Sequence, residues 1–442
     1  MDPRFTTPAL ARLFAPEAQV ARMLAFEAAL ARALASCRVI PAAAADAIAE
    51  ACRPVDFDAP ALLRAAATEG TIAIPLVAAL VERTSVAGRA YVHWGATSQD
   101  VVDTALVLQL RDALALVDAD LVRVCGRCAA LAREHRRTVM AGRTLLQQAV
   151  PITFGLKAAR WLDLSVRQLR ASRASQAAAI VLQFGGASGT LAALGHRGTD
   201  VARELARALD LPSPPLPWHA ERDRMATLAA SLAIVAGSLA KIAHDVLLLA
   251  QTEVGEAYEG RHAGSSAMPN KRNPVDATMA VAAARLARAQ AGVVIEGLVQ
   301  DHERAAGAWQ AEWAAMADTC AYSGGVVARV ADLLDALVVD TARMAANLAI
   351  DRGTIGAEAL ATALAHPLGR PAAQRLVRDL CERARREMRS LADTARLDAR
   401  VTAVLDEAAL ERSLDAAQHL GSADELVDRA LAAWEDISAE RR

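Results

Sequence analysis

Residues 221–250 read ERDRMATLAASLAIVAGSLAKIAHDVLLLA. Apolar side chains recur at Met225, Leu228, Leu232, Val235, Leu239, Ile242, Val246 and Leu249, in alternating steps of three and four without a miss. Such steps return to one side of an α-helix every two turns, so the seam is continuous. It predicts a helix packed nearly parallel to its neighbours in a bundle. Running from Glu221 to Glu256, that helix would be about 50 Å long at ~1.5 Å rise per residue.

The chain on either side carries the same signal. A helical pattern follows Ser98 to about Arg133, another runs from about Pro151 to Ala178, and a third from Pro274 to about Glu303. Val326, Val330, Leu333, Leu337, Met344 and Leu348 mark one more. Apolar residues make up 54% of the 442-residue chain and aromatics only 3%, much of the apolar share being alanine, which favours helix over sheet. The expected fold class is all-α, in three regions. Residues 1–97 form an N-terminal helical region broken by Pro41, Pro54, Pro60, Gly70 and Pro75. Residues 98–350 form the central long-helix bundle. Residues 351–442, opened by Gly353, Pro367, Gly369 and Pro371, form a C-terminal set of short helices.

Charge and composition exclude several function classes. A net charge of −2 and a pI near 6.5 leave no basic footprint for nucleic acid. Residues 1–20 hold no apolar run of the kind a secretory signal needs. No uninterrupted apolar span reaches the ~20 residues of a membrane helix. A cytoplasmic protein is expected. Of six cysteines only Cys125 and Cys128 form a C-x-x-C pair, and in a helical setting this predicts no metal or redox role. Gly185, Gly186 and Gly189 follow no convincing strand, so the irregular stretch 183–219 is not a dinucleotide site.

Chemistry concentrates in the loop Gly264-Ser265-Ser266-Ala267-Met268-Pro269-Asn270-Lys271-Arg272-Asn273-Pro274. Asn273 is a good N-cap and Pro274 a good first residue for the following helix. Two hydroxyls, an ammonium and an amide at the positive end of a helix suit an anion. A solvated Gly/Ser turn is the plain alternative. Lysine usage weighs against it, because among 49 basic residues only Lys157, Lys241 and Lys271 are lysine. In a chain that otherwise uses arginine, Lys271 is expected to serve for its compact, movable ammonium. A second anion cradle is offered by Thr97 and Ser98 at a helix start, beside His93 and Gly95.

These stretches resemble the signatures of the fumarase/aspartase superfamily, and the three-part layout resembles it over essentially the whole chain. The resemblance implies that Ser265 works on a proton alpha to a carboxylate, with Lys271 and Asn273 holding the substrate; a serine hydroxyl needs help to ionise, and Lys271 and the dipole of the helix after Asn273 are expected to give it. It implies that Thr97 and Ser98 bind a substrate carboxylate and that His93 lines the site. Arg143 and Gln147, in the stretch 140–149, match the second signature, and Arg304 matches a further substrate ligand. The resemblance also implies a homotetramer with pockets shared between subunits, and neither metal nor organic cofactor.

Departures narrow the choice. Leu145 stands where most relatives carry the histidine that protonates the leaving group. Trp309, Gln310 and Trp313 replace the serines and arginine that serve a nucleotide phosphate in the adenylosuccinate branch, and the stretch 69–75 lacks that branch's histidine. An amine leaving group needs an acid, whereas a carboxylate, with a conjugate-acid pKa of roughly 4, departs unaided. The expectation is therefore the cycloisomerase branch, in which a substrate carboxylate adds to a conjugated alkene of the same molecule. A C–N lyase of the superfamily is the alternative, and a catalytically idle helical oligomer the more distant one.

Overall fold

The computed structural model describes residues 2–261, 264 and 267–439. Ser265, on which the catalytic expectation centres, lies outside the described residues, as does Ser266. Five long helices dominate: Ser98–Glu134, Phe154–Ala179, Asp223–Leu249, Val275–Glu296 and Ala308–Asp335. All eight seam residues from Met225 to Leu249 are buried, none more than 4% exposed. By length and composition the Asp223–Leu249 and Val275–Glu296 helices are apolar enough to cross a membrane. In the first of them the apolar face is the buried seam of a packed core.

Three expected helix boundaries move, the first two because the backbone finds a better partner. The helix expected over 221–256 spans Asp223–Leu249, and the Glu256 N–H turns back to the Leu249 carbonyl at 2.9 Å with Gly255 at φ +62°. The pattern expected to continue from Val326 to Leu348 breaks after Asp335, because Leu337–Val339 is a strand paired antiparallel with Ala257–Glu259. The helix expected from Pro274 to about Glu303 spans Val275–Glu296.

The stretch 139–153 is a β-hairpin, not a helix start: strands Val139–Thr144 and Gln147–Thr153 pair antiparallel, and the helix follows at Phe154. Its two-residue turn is Leu145-Leu146, at φ +49° and +65°. Two positive φ values form the primed turn that matches strand twist, a turn normally filled by Asn-Gly. Two leucines give no such signal, so the hairpin is invisible to pattern reading.

Two compact units can be distinguished. The first comprises Met1–Val122, Gln168–Lys241 and Thr278–Val330; the second comprises Arg123–Arg167, Ile242–Ala277 and Ala331–Arg442. The first unit's core joins the Pro16–Ser36 helix (Val20, Met23, Leu24, Leu30) to Val101, Ala105, Leu108, Leu228 and Leu232. The second unit holds a separate apolar cluster around Leu360, Leu364, Leu376, Leu380 and Leu391. Cys125 and Cys128 are buried in the Ser98–Glu134 helix, and burial pushes the Cys128 thiol well up.

Candidate active site

In the first unit, one carboxylate organises the start of the Ser98–Glu134 helix. Asp100 is fully buried. Its Oδ1 accepts from His219 Nε2 (2.8 Å), the Gly185 N–H (2.9 Å) and Gln183 Nε2 (3.1 Å). Its Oδ2 accepts from the Gly186 N–H (2.9 Å) and the Thr97 N–H (3.0 Å), the latter being the return half of a capping box. A single side chain thus ties the helix start to stretch 183–186 and to His219. Thr97 and Ser98 are half-buried there, and neither hydroxyl makes a hydrogen bond to a described residue, so both remain available to a ligand.

The chain reaches this helix through a turn with His93 at φ +59° and Gly95 at φ +80°. A Cβ on Gly95 would lie 2.6 Å from Leu194 Cδ2, which leaves room for glycine alone. His93 is anchored through Nδ1, 2.6 Å from Glu27 Oε1. Burial works to lower the imidazole pKa, but the charge and hydrogen bond of Glu27, with the charge of Asp100, outweigh it and the pKa ends above its ordinary value.

Behind the helix start stands a polar network without solvent. Arg222 is 1% exposed; its Nη1 and Nη2 donate to Asp103 (2.7 and 3.1 Å) and its Nε to Glu312 Oε2 (3.1 Å). Burial pushes the Glu312 carboxyl up, and Arg222 offsets part of that. Trp309 Nε1 donates to Asp103 Oδ1 at 2.9 Å, and the Trp218 ring lies 4.7 Å from the Arg222 guanidinium carbon. Trp309 is therefore built into the core, edge-on to Trp313 at 4.9 Å. Gln99 links this network to Arg304: its Nε2 donates to Asp103 and to the His219 carbonyl, and its Oε1 accepts from Arg304 Nε at 3.0 Å. Arg304 Nη2 is buried with no hydrogen-bond partner among the described residues, a cationic donor left for something else.

The second unit carries Arg143, Gln147, Lys271 and Asn273. Arg143 Nη1 and Nη2 grip Glu256 Oε2 and Oε1 at 2.8 and 2.7 Å, and Asn347 Nδ2 donates to the same carboxylate at 2.8 Å. Glu256 is fully buried, and this two-pronged ion pair ties Arg143, a residue expected to bind substrate, to the Glu256 backbone segment. Gln147 is exposed at the start of its strand, and Lys271 is exposed in the loop. Leu145, at the hairpin tip, is 96% exposed.

The helix after the loop also departs from expectation. Its N-terminal N–H groups at Asp276 and Ala277 donate to Glu259 Oε2 (3.2 Å) and Oε1 (2.7 Å). The positive helix end is thus neutralised by a buried carboxylate and is not open to an anion. Burial holds the Glu259 carboxyl above its usual range, with the two N–H groups pulling it back. Asn273, expected to cap this helix, instead donates Nδ2 to the Gly264 carbonyl at 3.2 Å across the loop's base. A cavity of about 290 Å³ opens here, lined by Ala250, Tyr258, Glu259, Arg272, Asn273 and Pro274. Among the described residues no group of three or more His, Cys, Asp or Glu side chains is placed to hold a metal ion.

Pattern reading missed Glu27, Asp100, Glu256 and Glu259. Two of them left a trace. Glu27 falls on the apolar side of its helix, in register with Val20, Met23, Leu24, Leu30 and Leu34. Thr97-x-x-Asp100 is a capping-box spacing.

Comparison with known proteins places the chain in a family. Residues 4–313 match the lyase family, and residues 353–430 match the adenylosuccinate lyase C-terminus family. The chain is 46% identical over 400 residues to the 3-carboxy-cis,cis-muconate cycloisomerase of Bradyrhizobium diazoefficiens, covering 89% of this chain and 88% of that one. It is 46% identical over 401 residues to the enzyme of the same name from Pseudomonas aeruginosa, with 89% and 87% covered. The crystal structure of the 3-carboxy-cis,cis-muconate lactonizing enzyme from Pseudomonas putida superposes with a TM-score of 0.93 at 42% identity, over 98% of each chain. The chain belongs to the lyase family, within the fumarase/aspartase superfamily.

Proposed function

We propose that the chain is a 3-carboxy-cis,cis-muconate cycloisomerase, an intramolecular lyase of aromatic-acid breakdown in the protocatechuate branch of the β-ketoadipate pathway. One carboxylate oxygen of the substrate adds to a conjugated carbon and forms the lactone C–O bond. The displaced π electrons move onto the far carboxylate as an aci-carboxylate, and a proton delivered to the carbon beside it gives 4-carboxymuconolactone. The observation that carries the reading is the likeness to the cycloisomerases at 46% identity over most of both chains. Leu145 supports it: a leucine at a hairpin tip donates no proton, and a carboxylate leaving group in the reverse direction needs none.

Ser265 delivers the proton, and Lys271 lowers the cost of the alkoxide it leaves. With the helix N-terminus taken by Glu259, that stabilisation falls to the ammonium rather than to backbone N–H groups. Thr97, Ser98, His93 and the unpartnered Arg304 Nη2 bind substrate carboxylates, with Gln147 and Asn273 as further ligands. The pocket is shared among copies in a cytoplasmic homotetramer, and region 98–350 forms its catalytic bundle between regions 1–97 and 351–442. The test is an absorbance assay of purified protein against 3-carboxymuconate, adenylosuccinate and argininosuccinate. Loss of the conjugated diene with the first substrate alone is expected; turnover of either succinyl adduct instead would establish a C–N lyase.

A further inference from the structure

Glu27 has no structural need to be where it is. It lies on the buried face of the Pro16–Ser36 helix, 1% exposed, among Met23, Leu24, Phe26 and Leu30. An apolar residue there would extend the core, and a carboxylate removed from water costs several kcal/mol unless it is well paired. Among the described residues the pairing is incomplete: His93 takes Oε1, and Oε2 is buried without a hydrogen bond. The histidine it holds is itself in a left-handed conformation, one turn of chain before the Thr97–Ser98 cradle, and keeps 16% of its side chain exposed. A buried carboxylate spent on one nitrogen of a histidine whose other nitrogen stays accessible is an orienting arrangement.

We infer that Glu27 is a positioning residue of the active site: by holding His93 Nδ1 it fixes the imidazole ring and commits Nε2–H to a substrate carboxylate beside Thr97 and Ser98. This rests on the substrate-binding reading of His93 given above. A carboxylate only accepts, so the Nδ1 proton points at Glu27 in both charge states. Protonation then changes Nε2 alone, which donates in the imidazolium and accepts in the neutral ring. The charged and titratable groups bearing on the pair are Glu27 itself, Asp100 from the Ser98–Glu134 helix and, on the Glu27 side, the Cys52 thiol, pushed up to about 12 by burial, with Arg32 beside it. Both carboxylates favour the imidazolium. Because the folded pKa is raised, the donating form is kept to higher pH than in an ordinary histidine and is lost as pH rises through that raised value.

The test combines a titration with kinetics. In the wild-type protein, isotope-labelled histidine followed by NMR should show one imidazole titrating above the ordinary range, identified by its absence in His93→Gln. Glu27→Gln keeps the volume and removes the charge. It should lower that pKa by about one unit or more and raise KM about tenfold or more at neutral pH, the scale of a hydrogen bond to a charged group, while kcat stays within about threefold. The alkaline limb of kcat/KM should move down in pH with it. An ordinary His93 pKa in the wild type overturns the inference without a variant, so a misfolded Glu27→Gln does not rescue it. An unmoved alkaline limb and unchanged KM in a folded Glu27→Gln also overturn it. Failure of the wild type to turn over 3-carboxymuconate would instead count against the proposed substrate and leave the titration standing.

Discussion

The first turn of the Ser98–Glu134 helix and the loop of residues 260–274 solve opposite problems. Around the helix start three carboxylates are buried and closely bonded: Asp100 accepts five hydrogen bonds, and Asp103 and Glu312 share the buried Arg222. Around the loop, Lys271 and Arg272 are exposed, and the fixed points sit at its stems. The Gly260 N–H donates to the Ala336 carbonyl, where a Cβ would lie 2.6 Å away, and Glu259 holds the two N–H groups beyond the loop. A buried network resists displacement because moving any member strands a charge out of water. In the proposed mechanism Thr97, Ser98, His93 and Arg304 use the first kind of scaffold, and Ser265 and Lys271 the second.

Removing the centre of the rigid network gives the largest expected effect. Arg222→Met leaves Asp103 and Glu312 buried together without their cation and should cost about 3–5 kcal/mol in denaturant unfolding. A loss under about 1 kcal/mol would mean that water or rearrangement satisfies both carboxylates, and the contrast with the loop would weaken. On the loop the expectation reverses. Ser265→Ala should lower kcat by at least about 100-fold while the unfolding midpoint stays put. Near-normal turnover would remove Ser265 from the mechanism.

The hairpin tip sharpens the contrast further. Replacing Leu145 by Asn together with Leu146 by Gly relieves two left-handed leucines and should raise stability by about 1 kcal/mol or more, measured as a rise in Tm. No change would show that the leucines are supported in their strained turn by contacts elsewhere. The smallest effect is expected from Leu145→His. If a missing acid limited the rate, the new imidazole would raise cycloisomerase turnover; unchanged kcat is expected.

Much of this was legible in the chain. The seam from Met225 to Leu249 specified a buried helix, because periodicity at 3.6 residues reports which side faces the core whatever the neighbours are. The Thr97–Ser98 start and the Gly264–Pro274 loop were legible as motifs. The Leu145-Leu146 turn was not, since its φ values are imposed by strand pairing against side-chain preference. Glu27 and Glu259 were seen only as charged letters.

Sequence alone determined the all-helical class, the family resemblance and the types of chemical group available, because these depend on local periodicity and on residue identity. Tertiary structure decided which of those groups remain available. Arg143 pairs with Glu256, the helix N-terminus meets Glu259, and His93 is backed by Glu27 from 66 residues away. The physical reason is that a charge becomes a ligand, an anchor or an orienter according to what neutralises it, and for His93 and Arg143 that partner is brought alongside only when distant segments fold together.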